Sequence, residues 1–320
     1  MFDVAVRSFF SHFTEPVYSA MSCEIVVSYR NRETDEIVTE PLLYEAAQRW
    51  IYGRSAGLRV FDGVLNNRTF CRLYGRWQDL SWSRRKIPEF VDRYGIDIEE
   101  VELPPDHYRS FNAFFTRRLK PGARPFVPEP EVFCAPADGK VLVYSHLKEG
   151  TRIPVKGASV ALASLLDSES TARPYHGGSA LVIRLAPCDY HRFHFPDAGE
   201  AGPARTMPGK YYVVNPVGLA GVPDAFCRNK RAVTAFDSAH FGRIAYVEIG
   251  GFAVGSIVQT HTPGQVDRGR EKGYFQYGGS TLVLLFEPGA IVFDEDLVRD
   301  SAEVLEVHVK TGSRIGKRAW

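Results

Sequence analysis

The sequence is poor in the features that mark secreted and membrane-spanning proteins. Its 320 residues include only five cysteines, an odd number at irregular spacing and without a C-x-x-C pair. This pattern argues against a disulfide framework and against a zinc knuckle, and it fits a reducing compartment. No apolar run approaches the roughly 18 residues that a membrane-spanning helix needs, so no segment is predicted to cross a bilayer.

An excess of charge of one sign is also lacking. The 39 basic and 38 acidic residues leave a net charge of +1, so we expect no nucleic-acid partner. The first residues lack the basic region and apolar core of a signal peptide. Residues 1–20 are interpreted either as an extension or as a mis-assigned start, because Met21 stands where a folded region would begin.

Helical periodicity dominates the first third of the chain. Apolar residues recur at helical spacing over residues 42–51 and again over residues 87–94. Pro88 suits the first turn of the second helix, and Gly95 suits the position just past its end. Ahead of both helices, residues 23–38 predict two short strands around a polar turn.

A segment between these two helices interleaves basic and apolar side chains. Its arginines are Arg59, Arg68, Arg72 and Arg76. One interpretation is a helix at a membrane surface, with its apolar face in the lipid interface and its arginines towards anionic headgroups. The other is an amphipathic helix packed on the rest of the protein, since any surface helix has an apolar stripe. The pattern leaves both interpretations open.

The sequence pattern changes near residue 105, where prolines cluster and short β-rich runs follow. The runs are LVIRL from Leu181, YYVV from Tyr211, IAYVEI from Ile244, FAVGSIV from Phe252, TLVLLF from Thr281 and VLEVHV from Val304. Strand signals separated by turns in this way predict a mostly antiparallel sheet. The predicted fold is α+β and mainly β, with N-terminal amphipathic helices in residues 1–104 and a β-rich catalytic domain in residues 105–320.

Three short motifs carry reactive groups. Asp138 lies in a PADG turn just before the strand VLVY, and His191 and His194 lie three residues apart in DYHRFHFP. Ser280 follows a Gly-Gly pair and leads at once into an apolar strand. Taken singly, each motif also has an ordinary structural explanation, such as a turn aspartate or a β-turn that feeds a strand.

Together the motifs supply a carboxylate, an imidazole and a hydroxyl, the set that activates a serine. Histidine is the side chain that gives and takes protons near neutrality. A metal pair with His176 as third ligand is conceivable, but H-E-x-x-H is absent and we predict no metal. A serine hydrolase also remains open, although the G-x-S-x-G elbow and the helix that should follow it are absent.

Longer motifs connect these residues. FNAFFTRRLKPGARP begins at Phe111, and PADG, DYHRFH and GGST follow in that order. In order and approximate spacing they resemble the phosphatidylserine decarboxylase family, over about residues 44–305 and nearest to its bacterial branch. The resemblance implies a carboxy-lyase that makes phosphatidylethanolamine from phosphatidylserine. Its cofactor would be a covalent pyruvoyl group that forms a Schiff base with the substrate, with no pyridoxal phosphate.

The resemblance also implies a role for each reactive residue. Ser280 would attack the Gly279 carbonyl, and elimination would then cut the chain between them and leave the pyruvoyl group on the α fragment. His194 would accept the Ser280 proton, and Asp138 would hold and stabilise His194. His191 would serve decarboxylation itself, near the substrate carboxylate or as a proton donor.

The partners implied by the resemblance are a phospholipid substrate, the membrane surface and the two fragments of the chain itself. The fragments would be a β fragment of residues 1–279 and an α fragment of residues 280–320. A peripheral position on the cytoplasmic face of the cell membrane and a homodimer are further expectations. Phe252 stands where smaller residues are expected in relatives, so a different serine lipid or an amino acid stays open as the substrate. A non-catalytic lipid-binding relative is the remaining alternative.

Overall fold

The computed structural model describes residues 26–147, 152–155, 158–252 and 256–319. The interpretation of residues 1–20 and Met21 concerns a part of the chain outside these ranges. The helices are α1 (Glu45–Tyr52), α2 (Ser55–Val60), α3 (Arg68–Gln78), α4 (Ile87–Tyr94), α5 (Phe111–Phe115), α6 (Leu162–Leu166), α7 (Glu169–Ala172), α8 (Pro216–Gly221), α9 (Ala225–Arg228) and α10 (Glu295–Ala302). A π-helical turn spans Phe61–Leu65, and short 3-10 turns span Ser81–Lys86, Ile98–Glu100, Pro105–His107 and Arg173–Tyr175.

The strands begin early in the chain and continue to its end. They are β1 (Ser28–Asn31), β2 (Ile37–Thr39), β3 (Val132–Cys134), β4 (Gly139–Tyr144), β5 (Arg152–Val155), β6 (Ala158–Ala161), β7 (Ser179–Leu185), β8 (Arg192–His194), β9 (Gly199–Ala201), β10 (Arg205–Met207), β11 (Arg231–Ser238), β12 (Gly242–Gly250), β13 (Ile257–Gln259), β14 (Gly264–Val266), β15 (Glu271–Phe275), β16 (Ser280–Phe286), β17 (Ile291–Phe293), β18 (Glu306–Val309) and β19 (Arg314–Arg318).

Eleven of the described strands form one large sheet. Its order is β14-β9-β11-β12-β16-β7-β4-β18-β1-β2, with β10 paired beside β11. Strand β1 runs parallel to β18, and the other named pairs in this sheet are antiparallel. Smaller sheets join β13-β15-β8, β17-β19-β3 and β5-β6. The predicted α+β class, rich in antiparallel sheet, is confirmed.

The central strands of the large sheet are covered on both faces. Every residue of β16 is buried, and its side chains alternate between two core clusters because successive strand residues point to opposite faces. Val283 and Leu285 pack in the cluster that includes Ile51 and Phe61 of the N-terminal region. Leu282, Leu284 and Phe286 pack in the other cluster, with Phe193 and Phe195. The N-terminal helices therefore belong to the core on the face of β16 that carries Val283 and Leu285.

The local sequence patterns predict most of these elements correctly. Helices α1 and α4 and strands β1 and β2 occupy the predicted segments, and Gly95 ends α4 with a φ of 58°. The arginine-rich segment, however, is not one helix but α2, the π-helical turn and α3. The chain breaks there because the Asn67 side chain caps α3 at the Phe70 amide and the Asn66 side chain accepts from the amide of Tyr211.

One predicted strand is wrong. Residues 211–214, YYVV, form an extended loop without strand partners. Side chains there take the place of the backbone hydrogen bonds of a strand pair. Asn229 accepts from the Tyr212 amide, and the Tyr52 hydroxyl accepts from the Val213 amide. The FAVGSIV run is described only in part, since residues 253–255 lie outside the described ranges and β13 begins at Ile257.

Among the described residues, no helix has both the length and the apolar character that a bilayer-spanning helix requires.

Candidate active site

Ser280 is the first residue of β16, in the middle of the large sheet. It stands opposite Gly250 of β12 on one side and opposite Leu185 of β7 on the other. Strand β16 is paired along its whole length with both neighbours. Residue 280 is therefore held in place from its C-terminal side, whatever happens to the peptide bond that precedes it.

The Ser280 side chain is buried and unpartnered. Its relative exposure is 0 %, and Oγ has no hydrogen-bond partner among the described residues. Leaving a buried hydroxyl unpaired costs about 1–3 kcal/mol, so such a group calls for an explanation. One explanation is that the hydroxyl reacts and is consumed in the reaction.

The residues before Ser280 form an open turn. Gly278 has a φ of 134°, a conformation that side-chain-bearing residues rarely adopt. A Cβ added at Gly279 would meet no heavy atom within 4 Å, so the scissile residue predicted from the sequence lies in open space. The Gly279 carbonyl oxygen accepts a hydrogen bond from the Gly251 amide at 2.9 Å.

His191 is buried in a defined tautomer. Its Nδ1 lies 2.9 Å from the backbone oxygen of Asp189. Since a carbonyl can only accept, the hydrogen-bond network assigns the proton to Nδ1 and leaves the lone pair on Nε2. Nε2 is buried without a partner, and burial lowers the pKa of His191 to about 3. His191 is therefore neutral at physiological pH, with Nε2 free to accept a proton.

The turn that presents His191 is fixed by a buried ion pair. The Asp189 carboxylate accepts from Lys140 Nζ at 2.9 and 3.0 Å and from the Ala186 amide at 2.6 Å. Although burial acts in the opposite direction, the Lys140 charge holds the pKa of Asp189 well below its usual range. Because this turn follows directly on Leu185, it ties His191 to the strand that flanks Ser280.

His194 lies at the end of β8, close to the turn that carries Asp138. Its amide donates to the Pro136 carbonyl at 2.8 Å. Burial lowers the pKa of His194 to about 4, while the charges of Glu271 and Asp138 oppose the shift. Nδ1 is buried without a partner, so His194 is a neutral imidazole able to act as a base.

The Asp138 carboxylate is bound by residues that the sequence motifs did not indicate. Its carboxylate accepts from Arg124 Nε at 3.0 and 3.1 Å, from Arg124 Nη2 at 2.8 Å, and from the Thr311 amide and hydroxyl at 2.8 and 2.7 Å. Asp138 acts on His194 through its charge. The hydrogen bonds expected between Asp138 and His194 and between His194 and Ser280 are not formed among the described residues.

The sequence motifs did not indicate the roles of three residues that lie beside the site. Arg124 stands inside the longest motif, yet nothing local indicates that its guanidinium holds Asp138. Thr311 lies 173 residues from Asp138 along the chain, and no spacing rule links them. Gly251 gives a weak signal as the second member of a Gly-Gly pair at the end of an apolar strand.

An apolar cavity of about 360 Å³ adjoins the turn formed by Gly278 and Gly279. Gly278 and Gly279 lie at one side, and the N-terminal region supplies the opposite wall. The apolar residues of that wall include Leu42, Ile51, Val60, Phe61, Val64 and Phe70. Phe252 forms part of the cavity wall, with its ring centroid 5.0 Å from that of Phe61. The cavity is thus built jointly by the N-terminal helices and the sheet.

The arginine-rich segment shows parts of both predicted interpretations. Phe70, Tyr74 and Trp77 of α3 belong to or pack against a core cluster, as an ordinary amphipathic helix would have it. The arginines Arg59, Arg68, Arg72 and Arg76 are all exposed. So are four apolar side chains of this region, namely Val60, Val64, Leu73 and Leu80, at 40 to 61 % exposure. Exposed apolar and exposed cationic side chains therefore occur together in this segment.

The alternative in which His191 and His194 bind a metal ion lacks a suitable set of ligands among the described residues. In the described ranges, no group of three His, Cys, Asp or Glu side chains could hold a metal ion. His176, the suggested third ligand, lies 3.8 Å from Glu169.

Comparison with known proteins agrees with the motifs. The family model described as phosphatidylserine decarboxylase matches residues 111–317. A phosphatidylserine decarboxylase proenzyme of Chlamydia muridarum is 43% identical over 291 residues, which cover 91% of this chain and 97% of the relative. The proenzyme of the same description from Clostridium novyi is 41% identical, over 84% of this chain and 92% of the relative. That of Desulfitobacterium hafniense is 40% identical, over 92% of this chain and 99% of the relative.

The matched region contains the reactive residues: Asp138, His191, His194 and Ser280 all lie within residues 111–317. The relatives extend the similarity into the N-terminal region that walls the cavity, since they cover up to 92% of the chain. On the length and identity of these matches, the chain belongs to the phosphatidylserine decarboxylase family.

Proposed function

We propose that this chain is a self-processing decarboxylase that converts phosphatidylserine to phosphatidylethanolamine with a pyruvoyl group made from its own Ser280. One observation carries the proposal. The Ser280 hydroxyl is buried without a partner at the head of a central strand, directly after Gly279. A hydrolytic serine must meet an external substrate, whereas this hydroxyl is fully buried, which favours attack on the carbonyl of its own preceding residue.

The self-cleavage that we propose uses Ser280, Gly279 and His194. His194 takes the hydroxyl proton while Oγ bonds to the Gly279 carbonyl carbon, and the C–N bond then breaks as the nitrogen gains a proton. The product is an ester. Removal of the proton on Cα of residue 280 and breakage of the Cβ–O bond release residues 1–279 with a carboxylate end. Hydrolysis of the remaining dehydroalanine frees ammonia and leaves the pyruvoyl group.

The surroundings of residue 280 fit this group. Both neighbouring strands hold β16, so its first residue keeps its position after the chain is cut. When formed, the pyruvoyl group supplies the electron sink for loss of carbon dioxide. We assign His191 to proton transfer when the substrate amine condenses with that group, the step before carbon dioxide is lost. Its neutral Nε2 suits taking a proton from a substrate ammonium better than contacting a carboxylate, because a lone pair repels a carboxylate.

The apolar cavity beside the scissile turn supports a lipid substrate. Exposed arginines and exposed apolar side chains in the same segment of the N-terminal region support docking at an anionic membrane surface. We therefore propose that residues 1–104 associate with the membrane and that residues 105–320 carry the chemistry. The cytoplasmic face of the cell membrane and a homodimer stay predictions from the family resemblance.

Intact mass of the purified protein tests the proposal. We expect two fragments, of which the smaller begins at residue 280 and lacks a free amine, and we expect conversion of phosphatidylserine in detergent micelles to phosphatidylethanolamine. A single 35.9 kDa chain with unmodified Ser280 would defeat the proposal. If that intact chain reacted with a fluorophosphonate, it would be a serine hydrolase. If it did not react, a lipid-binding protein would be indicated.

A further inference from the structure

We infer that the backbone N–H of Gly251 is the oxyanion donor for self-cleavage, an inference that rests on the proposed function. The Gly251 nitrogen lies 2.9 Å from the Gly279 carbonyl oxygen. That oxygen belongs to the carbonyl that Ser280 attacks. The amide therefore touches a reacting atom of the peptide bond that is to be cut.

The position of the donor follows from the register of two strands. Gly250, the last residue of β12, stands opposite Ser280, so the next residue of that chain segment stands opposite Gly279. The Gly250 amide donates to the Lys230 carbonyl at 3.0 Å and is not available to the scissile bond. Gly251 is buried. The donor amide therefore lies in the protein interior, where a hydrogen bond is electrostatically stronger than in water.

The hydrogen bond from the Gly251 amide stabilises charge that develops during cleavage. When Ser280 Oγ bonds to the Gly279 carbonyl carbon, the π electrons of the C=O bond move to the oxygen, and negative charge develops there. A donor already in place stabilises that charge without reorganisation. The electrons return when the C–N bond breaks and the ester carbonyl forms. The same amide thus lowers the barriers on both sides of the tetrahedral intermediate.

The absence of a side chain at position 251 has a specific cause. A Cβ there would lie 2.6 Å from the Gly279 oxygen and 3.2 Å from Val214 Cγ2. The φ of Gly251 lies outside the range that disfavours side chains, so backbone strain does not explain the glycine. Close approach to the scissile carbonyl does explain it.

The contact is also a hydrogen bond of the sheet ladder, and a purely structural role makes a different prediction. A structural bond, when lost, lowers stability but leaves the cleavage rate of folded precursor unchanged. An oxyanion donor, when lost, also slows cleavage of the precursor that remains folded. The rate of cleavage in folded protein therefore separates the two roles.

An amide-to-ester replacement at residue 251 provides the test. Glycolic acid incorporated there during cell-free synthesis removes the N–H and adds no atoms that could clash. We expect cleavage of the folded precursor to slow by about 10²- to 10³-fold, as for loss of one oxyanion donor, with its pH dependence unchanged. The matched control is the same replacement at Gly202, whose amide makes a comparable 2.9 Å bond to the Ala235 carbonyl. That control should cleave at the wild-type rate.

A second variant guards against misfolding of the first. Gly251→Ala keeps the N–H but pushes the Gly279 carbonyl away, so it should also slow cleavage, whereas Gly75→Ala, with no heavy atom near the new Cβ, should not. Circular dichroism and thermal unfolding report folding in each case. Wild-type cleavage rates in a folded Gly251 variant would overturn the inference and leave the proposed function intact. A wild-type chain that never yields a fragment starting at residue 280 would instead overturn the proposed function.

Discussion

The Arg124 guanidinium donates hydrogen bonds of 2.8 to 3.1 Å to both carboxylate oxygens of Asp138. Burial works against the guanidinium charge, but the hydrogen bonds with Asp138 raise the pKa of Arg124 above its ordinary value. The pairing fixes the carboxylate whose charge acts on His194. We therefore predict that Arg124 is a positioning residue that acts through Asp138.

Arg124→Gln is expected to slow self-cleavage by about 10- to 100-fold, because a catalytic group displaced by about 1 Å loses that much rate. Arg124→Lys should recover part of the rate, since it restores the charge without the two-pronged contact. Cleavage is followed by gel electrophoresis of a pulse of cell-free product. Arg118→Gln, at an exposed arginine nearby, is the control. Equal rates in Arg124→Gln and Arg118→Gln would remove Arg124 from the mechanism.

The pH dependence of self-cleavage should reflect the lowered pKa of His194. Burial lowers that pKa to about 4, so His194 stays neutral, and able to accept the Ser280 proton, above this pH. An unperturbed histidine would lose the ability below about pH 6.5. We expect a constant cleavage rate from about pH 8 to about pH 5 and a fall towards pH 4. Circular dichroism at each pH controls for unfolding. A midpoint near pH 6.5 in folded protein would contradict the assignment.

Ser280→Ala should remain a single chain without decarboxylase activity, because it removes both the nucleophile and the source of the pyruvoyl group. Its stability should equal or slightly exceed that of uncleaved wild type, since the unpartnered hydroxyl costs about 1–3 kcal/mol. Intact mass and thermal unfolding report the two effects. Cleavage of Ser280→Ala at its usual position would show that another group makes the cut.

His191→Ala should separate the making of the cofactor from its use. The proposed cleavage does not need Nε2 of His191, so the variant should still yield two fragments. Decarboxylation should fall by about 10²- to 10⁴-fold, the range for loss of a general acid–base group. Mass spectrometry reports cleavage and phosphatidylethanolamine formation reports activity. Failure of folded His191→Ala to cleave would mean that the two histidines do not divide the work in this way.

Charge reversal at Arg72 and Arg76 should weaken binding to anionic vesicles. Each basic residue near an anionic surface contributes about 1 kcal/mol, so the double Glu variant should bind about 10-fold or more weakly. Sedimentation with phosphatidylglycerol vesicles measures binding, and self-cleavage should be unchanged. The matched control reverses Arg173 and Arg243, exposed arginines outside this segment. Equal binding by both double variants would favour an N-terminal region that only packs on the sheet.

The sequence predicted the elements that depend on local periodicity. Strands β7, β12 and β16 follow from their apolar runs, and α4 follows from its spacing, Pro88 and Gly95. It also indicated candidate reactive groups, because each stands in a motif, and their roles stay predictions. Local patterns failed where distant side chains satisfy the backbone, as at residues 211–214, where Asn66, Asn229 and Tyr52 replace strand partners.

By itself, the sequence determined which chemistry the chain carries: Ser280 after a glycine pair, with a carboxylate and two imidazoles elsewhere. Only the tertiary structure decided what each group touches. Thr311 and Arg124 meet Asp138 across separations of 173 and 14 residues, and Gly251 reaches the Gly279 carbonyl through the pairing of two strands. Periodicity encodes the neighbours of a residue along one element, whereas contacts between elements arise from packing the whole core, which no local pattern contains.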